Sequence, residues 1–193
     1  MQRLKDEIKK AILENAEKLF LDKGYEGCSM RDLAATIPMS VSNLYKYFPD
    51  KFTLYKHFVF PHYDLFLNRI DGFMKEENDG NYSEENISYV SENLFRRLLV
   101  FRTSFLLLME NTNVPQYGDF KEKLCDKMTR HIIEGTKADS GFDPFLIKVI
   151  VQNMWDGLYY IFKAENEEKV YESRVKHFIT YHFKGLSLFH DID

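Results

Sequence analysis

The stretch Ser29 to Lys51, SMRDLAATIPMSVSNLYKYFPDK, constrains this chain more than any other, because two short helical patterns flank a single breaker. Ser29 and Asp32 have the spacing of a capping box, and Met30, Leu33, Ala34 and Ile37 then recur at helical intervals. A first helix is predicted from there. Pro38 pushes Ile37 out of the α region and offers no backbone N–H, so the chain has to turn at residues 37 to 39. Ser40 can cap a second short helix, with Leu44 and Phe48 on one face and Ser42, Asn43, Tyr45 and Lys46 away from it. Two short helices across a tight turn are what is needed to lay one of them in a major groove.

The residue types on the open side suit a nucleic acid. Ser40, Tyr45 and Tyr47 carry hydroxyl donors for phosphate oxygens, Lys46 and Lys51 bring positive charge, and the Asn43 amide can read base edges. Lys51 stands at the start of the next predicted helix, where free N–H groups favour an anion. On spacing alone a Tyr- and Lys-bearing short helix is more often simply a solvated surface helix.

The run Leu44-Tyr45-Lys46-Tyr47-Phe48-Pro49-Asp50-Lys51, preceded by Ser29-Met30-Arg31-Asp32-Leu33-Ala34, resembles the helix-turn-helix signature of the TetR family of transcriptional regulators. That signature runs roughly Thr-x-x-x-Ile-Ala, then Gly-Val-Ser-x-Gly-Thr-Leu-Tyr-x-Tyr-Phe-x-x-Lys. Pro38 stands where the family has its turn glycine, and Ser42-Asn43 replace Gly-Thr at base-facing positions, a change of operator rather than of ligand class. The resemblance implies double-stranded DNA as partner, with Ser29, Ser40, Val41, Ser42, Asn43, Tyr45, Lys46, Tyr47 and Lys51 as the DNA-binding residues. It also implies a homodimer on a palindromic operator, a repressor's role and a small apolar or aromatic effector.

Around this motif the expected fold is all-α: a three-helix DNA-binding head, residues 1–50, followed by a helical effector-binding and dimerisation domain, residues 51–193. Leu4, Ile8, Ile12, Ala16, Leu19 and Phe20 form an apolar stripe that predicts an amphipathic first helix ending at Gly24, with Tyr25 packed beside it. A long helix follows from Lys51 to Glu77, with Pro61 expected to kink it near residues 57 to 61, either as a fixed bend or, as the resemblance implies, as a joint. Asn78-Asp79-Gly80-Asn81 reads as a turn. Ile87, Val90, Leu94, Leu98, Phe101, Phe105 and Leu108 then predict one long helix, or two broken near Arg102 to Ser104, ended by Pro115-Gln116-Tyr117-Gly118. Another helix, Asp119 to Lys137, carries Phe120, Leu124, Met128 and Ile132 and stops at Ala138-Asp139-Ser140-Gly141.

The last two helices, about 144–164 and 168–189, carry their own argument. Asp143-Pro144 is a start signal. Leu146, Val149, Ile150 and Tyr160 make one apolar stripe and Ile147, Val151, Met154, Trp155, Leu158 and Phe162 another, so this helix needs cover on two sides. A partner chain is the candidate for the second cover, with Gly157 allowing two such helices to approach closely. In the final helix Tyr171, Val175, Phe178, His182, Leu186 and Phe189 fall in register.

Composition removes other classes. The formal charge of −4 divides into 10 Lys and Arg against 8 Asp and Glu in residues 1–56, and 16 against 22 in the remainder, so the excess of positive charge lies with the motif. The N-terminus lacks the apolar core of a secretory signal, no 20-residue apolar run occurs, and cytoplasmic residence is expected. Cys28 and Cys125 are far apart and read as free, packed thiols. Among the six histidines the pairs five apart miss the three-or-four spacing of ligands on one helix face, and no phosphate loop, nucleophile elbow or cysteine cluster occurs. No cofactor, metal or enzyme activity is expected. With 17 Phe and 12 Tyr, a helical body can enclose a cavity, for which Phe66, Phe101, Phe105, Trp155 and Tyr159 are the candidate walls. The rival readings are a DNA-bound interaction protein without an effector, and a helical-bundle lipid carrier or enzyme.

Overall fold

The computed structural model describes residues 2–76, 84–110, 113–135, 143–164 and 167–187, which form nine helices and no strand. They are α1 (Gln2–Lys23), α2 (Met30–Thr36), α3 (Val41–Tyr45), α4 (Lys51–Glu76), α5 (Glu84–Val100), α6 (Arg102–Glu110), α7 (Phe120–Gly135), α8 (Pro144–Ala164) and α9 (Glu168–Ser187). The turns expected at residues 78–81 and 138–141, and Phe189, lie outside the described residues. No described helix is long and apolar enough to cross a membrane. The chain divides into two compact units, residues 1–64 with 103–118, and residues 65–102 with 119–193. It passes between them three times, within α4, at the start of α6 and between residues 118 and 119.

In the first unit α1 packs on α2 and α2 on α3. The expected stripe of α1 is buried from Ile12 onward, through Ala16, Leu19 and Phe20, while Leu4 is 60% exposed, so the first turns stand clear of the core. Gly24 ends α1 at φ 68°, its N–H bonding the Phe20 carbonyl at 2.9 Å. That is the left-handed cap that glycine adopts without a Cβ penalty. Tyr25 packs where expected, its ring centroid 4.9 Å from Tyr55 and 6.3 Å from Phe20.

α4 continues through Pro61, although proline has no N–H to give to the His57 carbonyl. A neighbouring helix supplies polar contacts at this turn. Ser104 Oγ, on α6, donates to the Phe58 carbonyl at 2.9 Å and lies 2.6 Å from His62 Nδ1. Further along α6 the Leu107 carbonyl accepts from Tyr55 Oη at 2.9 Å, and Thr103 Oγ1 donates to Glu17 on α1. The six residues Ser104 to Met109 are all buried, so α6 is a central strut of this unit. A turn over residues 113–118 follows, with Val114 and Tyr117 buried and Gln116 at φ 71°.

In the second unit α5 packs on α9, α7 on α8 and α8 on α9. The break in the long apolar run falls at Phe101, between α5 and α6, and Arg102 explains the charge inside that run. Its Nη2 and Nε donate to the Phe162 carbonyl at 2.8 and 3.2 Å, joined by Tyr171 Oη at 3.1 Å. A cation at the end of α8 satisfies an orphan carbonyl and opposes the negative end of the helix dipole. Asp143 caps the other end, accepting from Phe145 N at 2.9 Å.

α8 resolves its two stripes as the sequence divides them. Ile147, Val151, Met154, Trp155, Leu158 and Phe162 are buried. Phe145 (73% exposed), Leu146 and Tyr160 (66%) lie open, with Val149 and Ile150 half-buried. On α9 Tyr171, Val175, Ile179, His182 and Leu186 are buried, and Phe178 is half-buried. Phe178 lies against Gly157: a Cβ built on that glycine falls 2.0 Å from Phe178 Cζ. The close approach that Gly157 permits is between two helices of one chain.

Two stability predictions follow from these contacts. Gly157→Ala gains up to about 1 kcal/mol of helix propensity but meets the Phe178 ring, so a net loss of roughly 1–2 kcal/mol is expected by chemical denaturation. In a Phe178→Ala background the same change becomes neutral or stabilising, and the double-mutant cycle checks it. In the first unit, Ser29→Ala removes the hydroxyl that accepts from Asp32 N and costs about 1 kcal/mol. Hydrogen bonds from the Ser29 hydroxyl and backbone hold the Asp32 carboxyl below its usual range. Its contribution is therefore present above about pH 4 and lost as acid titrates the carboxylate, so the Ser29→Ala deficit shrinks toward low pH.

Candidate nucleic-acid interface

Each short helix of the motif is set by a cap at its start and an apolar face beneath. The Ser29–Asp32 capping box forms in both directions: Asp32 N donates to Ser29 Oγ at 3.1 Å, and Ser29 N donates to Asp32 Oδ2 at 2.9 Å. The Ser29 hydroxyl also donates to that carboxylate at 2.6 Å, so this predicted contact residue is used locally. Met30, Leu33 and Ala34 are buried beneath α2. Ile37 is extended (φ −125°, ψ 144°), as a residue before proline has to be, and Met39 N bonds the Ile37 carbonyl at 2.7 Å. A three-residue turn centred on Pro38 thus replaces the glycine turn of the signature. Ser40 caps α3, its Oγ accepting from Asn43 N at 3.3 Å.

On α3 the inward positions are Leu44, fully buried, and Phe48 just beyond, 5% exposed. Ser40, Ser42, Asn43, Tyr45 and Lys46 are exposed, and Val41 and Tyr47 half-buried. The edge from Ser40 to Tyr47 therefore faces away from the protein's interior. Lys46 Nζ donates to Asn43 Oδ1 at 3.0 Å.

Lys51 sits differently. Its Nζ donates to the Tyr25 carbonyl at 2.7 Å and lies 4.0 Å from the centre of the Tyr25 ring, so the ammonium ties the start of α4 to the turn after α1. It is half-buried rather than fully open. Asp50 caps α4, accepting from Thr53 N. Beside the motif are two cationic or titratable side chains that spacing did not single out. Lys9 of α1 lies 5.9 Å from the Phe48 ring centre, and His57 of α4 lies 6.4 Å from it. Burial, then the Lys9 charge, holds the His57 imidazole below its usual pKa. No sequence signal joins residues 9, 48 and 57; only the fold does.

The aromatic residues proposed as cavity walls fall into both units. Phe66 and Phe101, in the second, meet edge to face at 5.6 Å, and Phe120 joins Phe66 at 5.8 Å. In the same unit Trp155 is buried and Tyr159, half-buried, accepts from Lys163 Nζ at 2.9 Å. Phe105 is fully buried in the first unit. Cys28 and Cys125 are buried free thiols, and burial pushes the Cys125 thiol up to about 11.

Comparison with known proteins places this geometry. Residues 12–58, which span α1 from Ile12 through the start of α4, match the bacterial regulatory proteins of the tetR family. A stretch of 76 residues is 36% identical to the biofilm operon icaADBC HTH-type negative transcriptional regulator IcaR of Staphylococcus aureus (strain Newman), covering 39% of each chain. The Staphylococcus epidermidis IcaR is 28% identical over 80 residues, 42% of this chain and 41% of that one. The likeness thus spans about two-fifths of these relatives' length. Across almost the whole chain the fold is similar to a solved TetR-family regulator structure from Syntrophomonas wolfei str. Goettingen, with a TM-score of 0.54 and 18% identity over 98% of this chain and 100% of that one. The capped pair of helices and the open edge of α3 thus fall within the segment, residues 12–58, that matches the bacterial regulatory proteins of the tetR family.

Proposed function

We propose that this protein is a transcriptional repressor that binds a palindromic DNA operator as a homodimer, with a small apolar or aromatic effector lowering its affinity. One observation carries the reading: α3 buries Leu44 and leaves Ser42, Asn43 and Tyr45 exposed together with Lys46 just beyond. Residues 1–50 are the DNA-binding domain, and residues 51–193 bind effector and dimerise. In the duplex, Ser40, Tyr45 and Tyr47 serve phosphates, Lys46 adds positive charge beside Asn43, which reads bases, and Val41 and Ser42 pack along the groove wall. Ser29 supports this edge from the start of α2. Lys51 spends one ammonium proton on Tyr25 and has others for a phosphate. The negative regulator IcaR supports repression as the direction of control.

The open stripe of α8, with Phe145, Leu146 and Tyr160, and the exposed Tyr181 of α9, are the proposed dimer face. Two heads then meet successive major-groove faces about 34–36 Å apart, or a multiple of it. The effector site is proposed at Phe66 and Phe101 in the second unit, with Trp155 and Tyr159 of the same unit, while Phe105 serves the core of the first. A ligand there shifts DNA affinity only by its differential binding to the two dimer arrangements.

Binding is tested by titrating labelled duplex DNA against the full chain over a range of salt. Lys51→Ala is expected to weaken binding to all sequences and to lower the log–log salt slope by about one, whereas Asn43→Ala changes sequence preference and leaves that slope alone. Equal slope changes in both, with preference untouched, would overturn the roles given to them. For the dimer, Leu146→Asp with Tyr160→Asp places charge on the open stripe, and light scattering is expected to read half the wild-type mass with the helical content retained. An unchanged mass would exclude this face.

A further inference from the structure

Asn43 on α3 and Lys46, the residue that follows that helix, are exposed and act on each other. Their contact, 3.0 Å from Lys46 Nζ to Asn43 Oδ1, has only one possible direction. An ammonium carries donors and no acceptor, so the amide has to turn its oxygen toward Lys46 and its NH2 away. Asn43 is itself anchored, because its backbone N–H is held by the Ser40 cap.

This orientation changes what the amide can read. An asparagine reads adenine by accepting from N6 with its oxygen while donating to N7 with its NH2. Here the oxygen is held by a charged donor, a stronger partner than a neutral amino group. The second lone pair of that oxygen remains beside a full positive charge, which disfavours another donor approaching it. What the pair presents outward is the NH2 of Asn43 and the remaining protons of Lys46, donors only. Guanine offers two adjacent acceptors in the major groove, N7 and O6, and matches that pattern; the amino groups of adenine and cytosine set donor against donor.

We infer that Lys46 is a positioning residue for base reading: it fixes the Asn43 amide so that the two side chains together select guanine, not adenine. The inference rests on the operator-binding reading above and adds which base edge the motif takes. Lys46 acts on the orientation of Asn43 as well as through its own protons, so its loss changes the identity of the selected base as well as the strength of binding.

The test is selection of bound sites from random duplex DNA with four full-length proteins: wild type, Asn43→Ala, Lys46→Met and Lys46→Arg. Wild type is expected to enrich guanine at one position of the half-site, and Asn43→Ala to lose preference at that position alone. Lys46→Met frees the oxygen and is expected to shift that position toward adenine by roughly tenfold in relative affinity. Lys46→Arg keeps a donor against the oxygen and retains guanine. Because Lys46 is exposed, helical content checked by circular dichroism is expected to be equal in all four. Adenine enriched by the wild type, guanine retained by Lys46→Met, or no position altered by Asn43→Ala would overturn this inference and leave operator binding standing. Failure of the wild type to enrich any duplex would overturn the operator-binding reading, and this inference with it.

Discussion

The interface depends on burial beneath a helix too short to hold itself. α3 has five residues, whereas isolated helices below about 12–15 residues are marginal in water, because nucleation fixes several residues for a single hydrogen bond. What stabilises it is outside its own hydrogen bonding: Leu44 and Phe48 removed from water, and Ser40 closing its first turn. Burying such side chains contributes about 1.5–3 kcal/mol each, more than any exposed contact on the other face. The same burial fixes the rotation of α3 about its axis, and hence which side chains are left to meet a ligand. Stability and the proposed recognition are set by one packing contact, on opposite sides of one turn of helix.

Much of this was legible in the sequence, for identifiable reasons. Capping boxes, prolines and glycines act through neighbours two to four positions away, so Ser29, Pro38, Ser40, Gly24 and Asp143 declared their roles before any coordinates. The two stripes of α8 were readable because period alone assigns faces, and burial then divided them as the spacing had. What could not be read was anything joining distant positions. Nothing near Lys51 in sequence points to the Tyr25 carbonyl, and nothing near Arg102 points to the end of α8. The extent of the first unit was equally hidden, since residues 103–118 join residues 1–64 through long-range contacts such as Tyr55 with Leu107 and Thr103 with Glu17.

Polar contacts lie beside the interruption that Pro61 makes in α4. Within α4 the proline takes away one hydrogen bond, at the His57 carbonyl, and the sequence predicts a kink there. In the structure, Ser104 and His62 meet at the neighbouring Phe58 carbonyl, so polar side chains gather where the backbone ladder is interrupted. A short polar residue in the otherwise apolar buried run of α6 is thereby explained by the helix it faces.

Gly157 carries a consequence for assembly. α8 has a single glycine between Pro144 and Ala164, and it is spent on the ring of Phe178 within the same chain. The outward side of α8 instead displays bulky groups, Phe145, Leu146 and Tyr160. Any helix docking there meets large knobs and has no notch through which backbones can draw together. Its axis is held toward the wide end of the usual 8–10 Å range, and the fit is decided by how the rings interleave.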